Sequence, residues 1–184
     1  MKKQFIITAL VFVAAIFGIH DVLAQSPTTT TTINIQLADV IAIANESIAA
    51  GGRVDFIYNS VDDYNSTKTA NVPNSLIVTS TKSFDINVKA NGDNFELESG
   101  SETIPVDVVT IKPVQGGTTT MGGTRNNVIL TTADQKLISG APLGNQLVLE
   151  LDYEIPEERS SSPDILGKPS GNYVQTITYT ATAL

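Results

Sequence analysis

The chain contains no cysteine, no tryptophan and a single histidine, His20. Without thiols it can form no disulfide, no cysteine-ligated zinc site and no cysteine nucleophile. His20 lies within the first 24 residues, so the rest of the chain also lacks the commonest general base and metal ligand. These absences argue against most hydrolytic and redox chemistry, and they predict that the protein is not an enzyme.

Residues 1–24 have the three parts of a secretory signal peptide. Two lysines open the segment, an apolar stretch follows over residues 5–19, and Val22-Leu23-Ala24 forms a peptidase site. The apolar stretch is shorter than the ~20 residues that span a bilayer. We therefore expect cleavage rather than an uncleaved anchor, with no membrane span afterwards. The periplasm, the cell surface and the extracellular medium are the expected locations.

The chain is acidic, with 11 basic and 19 acidic side chains and a net charge of −8. Cleavage removes Lys2, Lys3 and Asp21, which leaves nine basic and eighteen acidic side chains. Such a surface repels nucleic acid, whose binding depends largely on cationic contacts to phosphates. Other surface proteins, further copies of the chain and neutral glycans remain as expected partners.

Beyond a threonine-rich flexible segment at residues 25–32, apolar and polar residues alternate with a period of two, which is typical of strands. Asn91-Gly92 predicts a tight hairpin turn between two of these strands. Helix signals are weak, and residues 38–50 indicate a strand followed by a loop. The predicted strands cover residues 33–43, 54–58, 76–79, 82–90, 94–98, 104–111, 128–130, 147–155 and 173–184.

About eight or nine strands, separated by turn signals and without helical crossovers, predict an all-β fold. The favoured architecture is an antiparallel Ig-like β-sandwich that forms a single domain over residues 33–184. A closed β-barrel is the second choice.

Three carboxylates, Glu150, Asp152 and Glu154, alternate with apolar residues along one predicted strand. Neighbours on one strand face lie about 6.5–7 Å apart, which would permit the carboxylate pair of a glycosidase. A half-solvated strand shows the same alternation. We favour the solvated face, so no catalytic residue is assigned.

Asp62-Asp63 and the turn at residues 91–94 carry oxygen ligands of the kind that calcium prefers. Neither has the alternating acidic pattern of a calcium loop, and turn formation explains both. We therefore predict no cofactor, with calcium as the one metal for which candidate ligands exist.

The loop at residues 115–127 has glycine pairs on both sides of a threonine run, and the segment at residues 157–172 is a second long loop. Long loops at the end of a sandwich are frequent binding sites. The candidate ligand-loop residues are Thr119, Gly122, Arg125 and Asn126.

Ile33, Ile35 and Leu37 alternate with polar residues directly after the threonine-rich segment. Such a segment could act as a donor strand that adds to the sheet edge of a neighbouring molecule. The alternative, which we favour, is that it forms the first strand of its own domain.

Two segments resemble strands of bacterial spore-coat-U-like, fimbrial-subunit-like and WxL-like surface proteins. These are residues 75–90 (SLIVTSTKSFDINVKA) and residues 167–184 (GKPSGNYVQTITYTATAL), together about a fifth of the chain. The chain departs from these families in having no disulfide and no Trp-x-Leu pair. The resemblance implies a non-catalytic structural or adhesion protein, of fimbria-like type, at the bacterial cell surface or outside the cell. A carbohydrate-binding β-sandwich module of the envelope is the alternative.

Overall fold

The computed structural model describes residues 29–48 and 52–184. The chain divides into two units after Leu37, and the unit Ala38–Leu184 contains every described strand and helix. The predicted signal peptide lies outside the described residues. Within the described ranges, no helix is long and apolar enough to cross a membrane.

The regular secondary structure of the unit Ala38–Leu184 consists almost entirely of strands. Two four-residue helices, α1 (Val61–Tyr64) and α2 (Glu157–Ser160), and a 3-10 turn at Val106–Val108 interrupt them. The strands are β1 (Ile41–Ile43), β2 (Lys68–Ser80), β3 (Phe84–Ala90), β4 (Asn94–Leu97), β5 (Thr103–Pro105), β6 (Thr110–Pro113), β7 (Thr124–Arg125), β8 (Val128–Ile129), β9 (Gln135–Ala141), β10 (Gly144–Ile155), β11 (Tyr173–Val174) and β12 (Ile177–Ala183).

The strands form two main antiparallel sheets that pack face to face. One sheet has the order β1-β2-β10-β6-β8 and the other the order β12-β3-β9-β7, while β11-β4-β5 forms a small third sheet. The predicted all-β sandwich is confirmed. The prediction of eight or nine strands was too low, since the described residues contain twelve.

The core lies between the two main sheets because each contributes its apolar face. Alternating inward residues include Leu149 and Leu151 on β10, and Ile86 and Val88 on β3, all fully buried. The polar residues between them, Glu150 and Asn87, lie on the opposite faces of their sheets, where Glu150 is buried and Asn87 is half-buried. Fully burying such a side chain stabilises the fold by about 1.5–3 kcal/mol.

The predicted hairpin between residues 82–90 and 94–98 is wrong. Strand β3 pairs with β12 and β9, whereas β4 pairs with β11 and β5 in the small sheet. The N–H of Asn91 donates to the carbonyl of Thr176, so β3 keeps β12 as its neighbour up to the turn. The Asn-Gly turn therefore carries the chain from one sheet to another.

Two further strand predictions differ from the structure. The predicted strand at residues 104–111 is divided into β5 and β6 by the 3-10 turn, which starts directly after Pro105. No strand forms at residues 33–37, and the first strand begins at Ile41. Alternation makes a segment suitable for pairing, but a strand needs a partner edge.

Candidate functional site

Strand β12 lies at the edge of its sheet and is bonded to β3 through its even-numbered residues. The carbonyl of Thr176 accepts from the Asn91 N–H, and the N–H of Leu184 donates to the Ser83 carbonyl. Because the register between them is unbroken, odd-numbered residues point their backbone groups away from β3. Within the described residues these groups have no hydrogen-bond partner. We call them the open edge: Ile177, Tyr179, Ala181 and Ala183.

The open edge is not blunted by charge, proline or shortness, although β1 of the other main sheet lies close to β12. Strand β12 has the sequence ITYTATA, with no charged residue and no proline. At the other end of the two main sheets, β7 and β8 are only two residues long each. Short strands are a common way to blunt an edge, whereas a long uncharged strand is a ready template for pairing.

Residues 52–58, which we call the rim segment, run extended beside the core. Val54, Phe56 and Tyr58 are half-buried against the core, while Arg53 and Ile57 are exposed. The alternation predicted for a strand at residues 54–58 is therefore present in the side chains. No strand ladder forms, since in the described part of the chain the backbone groups of residues 53–58 have no hydrogen-bond partner.

A groove of about 380 Å³ lies between the rim segment and the residues that lead into β12. One wall consists of residues 52–56 and the other of residues 173–177 together with Tyr179. Its lining is mostly apolar and aromatic. The lining includes the side chains of Val54, Phe56, Phe95, Tyr153, Ile177 and Tyr179. Thus two backbone segments with unused hydrogen-bonding groups flank one apolar groove.

A buried tyrosine, Tyr153, and a half-buried one, Tyr179, connect the two main sheets at the groove. The hydroxyls of Tyr153 and Tyr179 are 2.6 Å apart, and the Tyr153 hydroxyl lies 3.4 Å from the Ser75 hydroxyl. Burial raises the pKa of Tyr153 and raises that of Tyr179 well above 10. Both therefore remain neutral at physiological pH, so this part of the groove carries no charge.

The predicted donor segment is exposed. Residues 29–37 form no helix or strand, and the fractional exposures of Ile33, Ile35 and Leu37 are 81%, 78% and 88%. Three large aliphatic side chains at alternating positions of one short segment are thus left in water. An exposed apolar cluster of this kind commonly marks an interaction site.

The four candidate ligand-loop residues are engaged within the fold. The Thr119 hydroxyl accepts from the Glu150 N–H at 3.0 Å, and Arg125 donates to the Met121 carbonyl at 2.9 Å. Asn126 donates its N–H to the Leu137 carbonyl. Gly122 lies against Pro142, where an added Cβ would be 3.0 Å from the proline ring. These contacts hold the loop against β9 and β10.

The three alternating carboxylates have partners within the protein. Asn71 donates to both Glu150 and Asp152, at 2.8 and 2.6 Å, and Lys112 pairs with Glu154 at 2.6 Å. The N–H of Thr118, followed by Asn71, lowers the pKa of Glu150. The general acid of a glycosidase needs the opposite shift.

The acidic residues considered for calcium have structural partners as well. Asp63 accepts hydrogen bonds from the N–H groups of Asn59 and Ser60 at the start of α1, and it pairs with Lys68. In the turn after β3, Asp93 accepts from the Thr132 hydroxyl. Among the described residues, no group of three or more acidic or histidine side chains is arranged to hold a metal ion.

No protein-family model matches the chain, and no curated protein matches it.

Sequence reasoning missed the groove, although part of its signal was present. Alternation at residues 54–58 and in β12 identified the inward side chains of both walls. The rim segment and β12 do not pair with each other, and no local sequence pattern indicates this. The lack of charge in β12 was the one sequence feature that indicated an unprotected edge.

Proposed function

We propose that this protein is a non-catalytic structural or adhesion protein of the bacterial cell surface or extracellular space, and that it associates with further copies of itself. Residues 33–37 are the segment that makes this association. Export by the cleaved leader at residues 1–24 brings the protein to that location.

The exposure of the donor segment is the observation that supports this proposal. Burying Ile33, Ile35 and Leu37 would remove most of their apolar surface from water, where about 80% of each side chain now lies. The segment is uncharged from residue 25 to Ala38. It can therefore enter an apolar site without carrying an unpaired charge into it.

Backbone chemistry supports the same proposal. A strand added to a sheet edge gains main-chain hydrogen bonds, and alternate side chains enter pockets. Among the described residues, the backbone groups of the donor segment have no hydrogen-bond partner. The segment also has the required alternation, and the open edge of β12 offers complementary groups. A fimbria-like assembly would use this mode of pairing.

The proposal is tested by purifying residues 25–184 from the envelope and medium of the producing bacterium. Size-exclusion chromatography and negative-stain electron microscopy then give the assembly state. We expect filaments or a ladder of oligomers. A protein that stays monomeric over a wide range of concentrations would contradict self-association.

A matched pair of variants assigns the association to the donor segment. Ile35→Asp places a carboxylate on the apolar side of the segment and is expected to abolish assembly. Asn34→Asp adds the same charge on the other side and is expected to leave assembly intact. Equal loss in both variants would point to a general charge effect instead.

A further inference from the structure

We propose that the groove between the rim segment and the open edge binds the donor segment of a second copy. This inference rests on the proposed function and names the site that the donor segment occupies. Residues 33–37 of one copy would lie between residues 52–58 and β12 of the next, joined head to tail.

The two walls of the groove supply the backbone part of this site. Odd-numbered residues of β12 offer N–H and C=O groups on one side, and residues 53–58 offer theirs on the other. A strand between them would extend the β12 sheet and satisfy its own groups. This arrangement explains why the rim segment is extended and alternates without belonging to a ladder.

The lining of the groove supplies the side-chain part. Val54, Phe56, Phe95 and Ile177 present apolar surface, and the paired hydroxyls of Tyr153 and Tyr179 satisfy each other. Arg53 and Asp55, both in the rim segment, form an ion pair. An uncharged segment with aliphatic side chains on one face fits such a lining better than a charged peptide would.

The length of the donor segment agrees with the groove. Five residues in extended conformation span about 13 Å from the first residue to the last. Six residues between positions 173 and 179 line one wall, and residues 52–56 supply five to the other. Three alternate side chains can therefore point into one groove without the segment extending beyond it.

The start of the folded unit and the groove lie towards opposite ends of the sandwich, which favours copies joined head to tail in an open chain. The folded unit begins at the end of the sandwich where the β2–β3 turn lies, since the Thr81 N–H donates to the Val40 carbonyl and the Val40 N–H donates to the Thr81 hydroxyl. The groove lies towards the other end of β3, where Ile177 is opposite Ala90. These points are separated by the length of β3, about 20 Å.

Donor and acceptor are thus different surfaces of the molecule. A contact between different surfaces is heterologous, and it leaves one free donor and one free acceptor on every growing assembly. The geometry points to filaments rather than to closed two-fold dimers.

The test uses one variant of the donor segment and one variant of the groove. Ile35→Asp removes the donor and keeps the groove, while Val54→Asp places a carboxylate in the groove and keeps the donor. Each variant alone is expected to remain monomeric, because an unpaired carboxylate in an apolar site weakens binding at least about tenfold. Mixed together, they are expected to form a one-to-one dimer that grows no further.

Ile57→Asp is the matched control for the groove variant, since Ile57 lies in the same rim segment but is 59% exposed. It is expected to polymerise like the unmodified protein. Circular dichroism and thermal unfolding check that the three aspartate variants are folded.

Disulfide mapping provides a measurement that does not depend on the fold of Val54→Asp. Because the chain has no cysteine, a protein with Ile35→Cys and a second protein with Val54→Cys can form only the disulfides that are introduced. We expect a mixed disulfide between these two, and little between Ile35→Cys and Ile57→Cys.

The outcomes separate the two proposals. If the unmodified protein forms no oligomers, the proposed function fails. If it forms filaments while Val54→Asp still polymerises and no disulfide joins positions 35 and 54, self-association stands but this groove is not its site.

Discussion

The hydroxyl of Tyr153 on β10 lies 2.6 Å from the hydroxyl of Tyr179 on β12. Since β10 and β12 belong to different sheets, this hydrogen bond links the two layers of the sandwich beside the groove. It is a polar contact within an apolar lining, and both residues are largely enclosed. Removing this hydrogen bond should therefore change both the free energy of unfolding at neutral pH and the way it falls at alkaline pH.

We expect Tyr179→Phe to lower the free energy of unfolding by about 1 kcal/mol at neutral pH, since one buried hydrogen bond is lost. The pH response follows from the raised pKa of Tyr179. Below pH 10 this tyrosine is neutral in both states and its contribution is complete. As pH rises further, the unfolded chain ionises first and stability falls. Urea unfolding measured from neutral to alkaline pH should show that the free energy of unfolding falls less steeply with pH in Tyr179→Phe than in the unmodified protein. An equally steep decline would exclude Tyr179 as its source.

Glu150→Gln tests the carboxylate that holds the loop at residues 115–127. Its pKa is lowered from 4.5, first by the Thr118 N–H and then by Asn71. The ionised form therefore stabilises the folded protein above about pH 4.5, and this contribution is lost as pH falls through the folded-state pKa. We expect the variant to melt at a lower temperature at neutral pH and to converge with the unmodified protein in acid. The exposed Glu158→Gln is the control, and it should melt like the unmodified protein throughout.

Gln146→Gly is expected to stabilise the protein. Gln146 is exposed and has a φ of 51°, in the left-handed region that costs a side chain about 1–2 kcal/mol. Glycine removes that cost but loses more entropy on folding, which leaves a gain of about 0.5–1 kcal/mol. Asn74→Gly is the comparison, since Asn74 has a φ of 56° and asparagine tolerates this region. Chemical denaturation should show a smaller gain at position 74. A loss at position 146 would mean that its side chain makes a stabilising contact.

Assembly should become faster as salt is added. The protein is acidic, whereas the donor segment is uncharged and the nearest charges of the groove, Arg53 and Asp55, are paired. Salt therefore screens the repulsion between copies, with a Debye length that falls from about 30 Å at 0.01 M to about 8 Å at 0.15 M. Light scattering at a series of salt concentrations measures the rate. Slower assembly at higher salt would instead indicate attractive ion pairs across the interface.

Much of the fold could be predicted because period-two alternation is local. The pattern at residues 84–88 and at residues 147–155 identified the inward side chains of β3 and β10 correctly. Strand pairing is different, since it depends on residues distant in the chain. Asn91-Gly92 does form a turn, but the partner that β3 keeps is β12, almost ninety residues later.

The candidate site shows the same limit. The alternation of Ile33, Ile35 and Leu37 identified a segment suited to pairing, but not whether its own domain offers an edge. Likewise, no local pattern shows that residues 53–58 run beside the core with no backbone hydrogen bond to any other described residue. Whether a segment has a free sheet edge beside it depends on how all the other strands pair. It can therefore be seen only in the folded structure.

The bonds between Val40 and Thr81 also determine how the folded unit responds to mechanical load. Force applied through the preceding residues would act on β1 along its own axis, because β1 starts at this point. The backbone hydrogen bonds between β1 and β2 lie across that axis. They would therefore be sheared together rather than opened one at a time, and shear is the direction in which paired strands resist tension best.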